Sequence, residues 1–173
     1  GKLSKDFQGY GGGISVRRGA ALFTYGTFIT ANKALYGGGL YGDKQASLEM
    51  IHSSIFSNEA LTSGGGIYGN ESVSVTVRNS VVDNNTVIDG TGGGLSIINK
   101  ASLNISESSI TSNVVLNGTG GGGISIDDNV RSIIVFSRVK ANIASGAGNG
   151  GGIIVQQGSH ISTVSYTHLT LPT

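Results

Sequence analysis

The chain has 173 residues, 30 of them glycine and only 1 proline, which excludes collagen, whose triple helix needs glycine at every third position and abundant proline. Its 11 Lys and Arg nearly balance 10 Asp and Glu, and no basic run exceeds Arg17-Arg18, so the basic stripe that a nucleic-acid backbone requires is absent. With no cysteine, disulfide frameworks and thiolate metal sites are excluded, and no apolar stretch approaches the roughly 20 residues that span a bilayer.

Six glycine triplets run along the chain, each closed by an apolar residue: Ile14, Leu40, Ile67, Leu95, Ile124 and Ile153. Each of the first five is answered 18 residues later by an asparagine: Asn32, Asn58, Asn85, Asn113 and Asn142. The stretch from asparagine to the next closing residue grows through 8, 9, 10, 11 and 11 residues. A fixed segment joined by a variable one is a repeated structural unit, and a period of 26 to 29 residues is that of a solenoid.

Counting from the closing residue as offset 0, apolar residues return at offsets 0, 8, 10 and 15; in the third unit these are Ile67, Val75, Val77 and Val82. Offset 13 carries a small hydroxyl in the first five units: Thr27, Ser53, Ser80, Ser108 and Ser137. Spacings of two in β-branched stretches mean strands with one face inward, and no helical spacing occurs. The pattern predicts three short strands per unit, near offsets 0–2, 7–10 and 13–16. The expected fold is therefore all-β: a right-handed, single-stranded parallel β-helix of about six coils. Its glycines turn the chain and let coils press close, and its asparagines stack into a ladder, each amide donating to one coil and accepting from another.

Candidate chemistry is sparse. Acidic residues at offsets 3 and 4 follow the first strand: Asp43, Glu71, Asp127 and Asp128. Paired carboxylates beside a basic residue could hold calcium and remove a proton from an acidic polysaccharide, whereas a turn facing water is polar without chemistry. Tyr41 and Tyr68, at offset 1 on the outward face of adjacent first strands, should stack into an exposed platform able to take a sugar ring, or simply stiffen the sheet. His52 and His160 read as solvated. The GxGxxG strings at 37–42 and 64–69 lead into further strands, not the helix that a dinucleotide fingerprint needs. We expect no cofactor and no metal.

The alternation of GGG[IL] with [ST]x[IV]xxN over residues 9–163 resembles the repeats of chlamydial polymorphic membrane proteins. It is equally similar to the repeats of parallel β-helix proteins anchored on bacterial surfaces. The resemblance implies an exported passenger at the cell surface or outside the cell, associated with an outer membrane, that adheres to a glycan or to a host or matrix protein. It also implies an outer-membrane translocator barrel downstream. Other readings of the residues are a lyase or hydrolase acting on acidic glycans, and a passive structural stalk. Variable loops at 86–91 and 114–119 are expected to meet partners. Residues 1–163 read as a β-helix fragment cut at both ends. Residues 164–173 (VSYTHLTLPT) resemble a translated sequencing adapter and are set aside as read-through, because the sixth unit places His168 and Leu171 where the repeat calls for an apolar residue and asparagine.

Overall fold

The structure, a computed structural model, describes residues 9–146 and 150–164. It is a parallel β-solenoid without a helix among the described residues. The first strand row stacks Ile14–Arg17, Leu40–Asp43, Ile67–Gly69, Leu95–Ile98, Ile124–Asp127 and Ile153–Val155. The second row stacks Ala21–Tyr25, Ser47–Ile51, Ser74–Arg78, Ser102–Ser106, Arg131–Val135 and His160–Val164. Phe28–Thr30, Ser54–Phe56, Val81–Asp83, Ser109–Thr111 and Arg138–Lys140 form the third. In these three rows every pair is parallel and equal offsets face one another, as in Ile14 opposite Leu40 and Val82 opposite Ile110. Of the tail set aside above, Val164 pairs with Val135, and 165–173 lie outside the described residues.

The expectation of three strands per coil needs correcting, because a fourth row follows the asparagines. It comprises Lys33–Tyr36, Glu59–Ser63, Thr86–Val87, Val114–Val115 and Ile143–Ala144. Its inward residues Ala60, Val87 and Val115 form a small core of their own, separate from the main one. The main core is built from the predicted offsets, with Leu48, Val77, Leu95, Ile110 and Ile124 at no more than 1% exposure. Each such side chain contributes about 1.5–3 kcal/mol by leaving water. Offset 6 adds a further inward row, including Ala46, Val73 and Val130. Val73 fills space that offset 2 leaves at Gly42 and Gly69, where an added Cβ would meet its methyls at 3.0 and 2.8 Å.

Left-handed residues make the bends. Offsets 4 and 5 both have positive φ in all six units, as at Lys44 (51°) and Gln45 (65°), and so do offsets 12 and 17 in the first five, as at Glu107 (50°) and Ser57 (55°). Glycine is dispensable at offset 12, because a Cβ on Gly26 would meet nothing within 4 Å. At the first glycine of each triplet, φ is also positive, and a Cβ on Gly37 would lie 2.8 Å from the Leu40 carbonyl carbon. That difference explains which bends must be glycine. A left-handed non-glycine residue costs roughly 1–2 kcal/mol, offset in part by the chain entropy that glycine loses on folding. Glu107→Gly, at an exposed bend, is therefore expected to raise stability by about 0.5–1 kcal/mol, read as a higher urea midpoint at unchanged m-value.

Two side-chain ladders run between the coils. In the first, the side-chain oxygen of each asparagine from Asn58 onward accepts from the backbone N–H and the side-chain amide of the asparagine before it. Asn58 N and Nδ2 both donate to Asn85 Oδ1 at 3.0 Å, and Asn85 N and Nδ2 to Asn113 Oδ1 at 3.0 Å. The same Nδ2 also donates to a backbone carbonyl one coil back, as Asn85 does to Ile55 at 2.9 Å. In the second, Ser53 N donates to Ser80 Oγ at 3.0 Å and Ser80 N to Ser108 Oγ at 3.1 Å. Both ladders meet the demand that buried polar groups be paired.

Candidate functional site

The carboxylates expected at offsets 3 and 4 divide into two places. Asp127 and Asp128 satisfy themselves locally: Asp128 N donates to Asp127 Oδ1 at 2.8 Å, and Asn129 Nδ2 donates to Asp128 Oδ1 at 2.8 Å. Asp43 and Glu71 lie on neighbouring coils as expected and line one pocket, but Glu71 is exposed and Asp43 is buried. Among the described residues no three His, Asp or Glu side chains gather where they could hold a metal ion. His52 is exposed with its ring edge-on to Tyr25, and His160 is exposed.

Tyr41 and Tyr68 do stack, with centroids 5.5 Å apart and planes 11° from parallel. The exposed platform does not exist, however: the two residues are 5% and 7% exposed. The variable segment returns over the outer side of the first row and covers them. Its residues at offset −4 bridge coil to coil, Tyr10 to Tyr36, Ser63 to Thr91 and Thr91 to Gly120. Ser96, in the same row as the two tyrosines, is likewise buried, with Thr91 Oγ1 3.4 Å from its Oγ. In the first coils the covering residues are aromatic. Tyr10 and Tyr36 stack at 5.6 Å and 12°, and each tilts onto an inner ring at 5.0 Å, Tyr10 on Tyr41 and Tyr36 on Tyr68. The platform has become the floor of a two-by-two tyrosine array.

Asp43 stands at the edge of this array. Tyr41 Oη donates to its Oδ2 at 2.9 Å, and Arg17 Nε lies 3.8 Å from the same oxygen. The Arg17 guanidinium also lies over the Tyr10 and Tyr41 rings, 4.8 and 4.9 Å from their centroids, within cation–π range. Burial first, and then the hydrogen bond to Asp43, pushes the Tyr41 phenol well above its ordinary range. Burial, followed by the neighbouring Tyr36, raises that of Tyr68. Tyr41 thus stays a donor at any physiological pH. Asp43 Oδ1 is buried with no hydrogen-bond partner, an arrangement that costs about 1–3 kcal/mol. It is the one such side-chain atom among the described residues.

The cleft bounded by these groups has a volume of about 390 Å³, within the range of small-molecule sites. Lys44 and Asn70 complete its rim, and the Asn70 oxygen accepts from Asn99 Nδ2 at 2.6 Å. The chain matches no family model, no curated protein and no solved structure. The site therefore rests on its own geometry. Sequence reasoning passed over Tyr10 and Tyr36, yet the signal was present: both immediately precede a glycine triplet, as YGGGI and YGGGL.

Proposed function

We propose that this chain is a non-enzymatic, surface-exposed or secreted β-solenoid passenger with an adhesive or structural role. One observation carries the reading: residues that repeat face inward, and residues that face outward vary. Offsets 13 and 18 are held nearly constant by the two ladders, while offset 9 on the outer face of the second row runs Phe23, Glu49, Thr76, Asn104, Ile133, Ser162. A rigid invariant frame displaying a varied surface suits recognition better than catalysis, which needs converging groups at one place.

The test is adhesion of the purified chain to matrix-coated and cell-coated surfaces, alongside depolymerisation of acidic polysaccharides with and without calcium. Saturable adhesion without chain cleavage is expected. Cleavage abolished in Asp43→Asn/Glu71→Gln would replace the reading with a lyase or hydrolase, and the absence of both activities would leave a passive stalk.

A further inference from the structure

The tyrosine-lined cleft is the one place where the described surface combines walls, polar groups and an unmet hydrogen-bond demand. The exposed aromatic patch of Phe23, Tyr25 and Phe28 has nothing beside it to define an occupant. We propose that the cleft binds the ring of an uncharged sugar, a specific form of the adhesive role above, on which it rests.

Two observations carry the assignment. Asp43 Oδ1 is an unpartnered acceptor on a side chain only 9% exposed, so the site lacks a donor, and a sugar hydroxyl is one. A flat apolar surface is at hand once Arg17 yields: Tyr10, 46% exposed, is stacked on the half-buried Tyr36 as a rim over the inner pair, and the Arg17 guanidinium lies over its ring. Such faces pack against the C–H side of a pyranose ring while its hydroxyls reach polar neighbours.

Charge decides between ligand classes. Arg17 and Lys44 are matched by Asp43 and Glu71 around the same cleft, so neither an anionic nor a cationic ligand is favoured by net charge. Donors and acceptors of both kinds remain for a neutral polyol. Arg17 is the neighbour able to yield on entry, since its side chain is 42% exposed and its 3.8 Å approach to Asp43 is beyond hydrogen-bond length. Tyr41 holds the other carboxylate oxygen and keeps the acceptor in position.

The experiment is a titration of the full chain against neutral oligosaccharides (glucans, galactans and mannans), with polygalacturonate and a sulfated glycan as charged probes. Binding of at least one neutral series is expected. Tyr10→Ala/Tyr36→Ala and Asp43→Ala, which removes the acceptor altogether, should each weaken it tenfold or more, and Lys44→Ala, at the exposed rim, should weaken it several-fold. Circular dichroism melting checks that the variants are folded. Neutral glycans bound equally by all folded variants, or binding of charged glycans alone, would overturn the proposal. A chain that adheres to cells but retains no sugar removes this site and leaves the adhesive role standing. A chain that does neither removes both.

Discussion

Asn85→Ala is expected to destabilise the rod by about 2–6 kcal/mol, because two buried backbone groups lose their side-chain partner at roughly 1–3 kcal/mol each. Asn85 is fully buried at the centre of the ladder. Its oxygen serves the Asn58 N–H and its amide serves the Ile55 carbonyl, and the methyl group of alanine replaces neither. Asn85→Asp should be worse: the acceptor survives, both donors vanish, and a charge is left in the core. Asn104→Ala supplies the control, since Asn104 is exposed on the second row and should stay within about 0.5 kcal/mol of the parent. Urea unfolding followed by far-ultraviolet circular dichroism measures all three. Equal midpoints for Asn85→Ala and Asn104→Ala would show that the ladder is decoration.

Gly65→Ala should be at least as severe, about 3 kcal/mol or more, because the added methyl has no room that a side-chain rotation could make. Its Cβ would stand 2.7 Å from the Thr86 carbonyl oxygen and closer still to that of Gly93, both backbone atoms of the next coil. Relief requires two coils to separate, which breaks hydrogen bonds such as Gly65 N to Gly92 O at 3.1 Å. Gly26→Ala is the informative comparison. It meets nothing within 4 Å, and only its φ of 60° opposes it, at about 1 kcal/mol. A soluble, cooperatively melting Gly65→Ala protein would show that the coils are less closely packed than described.

The coils were legible from sequence because a solenoid applies the same constraint at the same place each turn. Ile55, Val82 and Ile110 recur at offset 15 and pack on one another, and Asn58, Asn85 and Asn113 stack three residues later. The fourth row escaped because it is as short as two residues and partly built from alanine (Ala34, Ala60, Ala144), too little to register as periodicity. The tyrosines failed for another reason. Alternation along a strand separates its two faces, but it cannot say that the outer face meets water. At Tyr41 and Tyr68 a second layer of chain lies over that face, and its own residues, Tyr10 and Tyr36, belong to the segment whose length varies. The pairing of Asp43 with Arg17, by contrast, was legible, because both stand at offset 3 of consecutive units and the register sets equal offsets opposite each other.

The hydrogen bonds between coils all run along the stack, which has a mechanical meaning. Tension applied to the two ends loads the coil interfaces in series, not in parallel, so no interface shares its burden with the next. The rod should yield by peeling from an end, each event releasing one repeat of 26 to 29 residues. That is about 90–100 Å of extended chain per step. Sideways load falls on covalent strands and is carried by every coil it crosses. Such a body resists bending and crushing while paying out length under a steady pull.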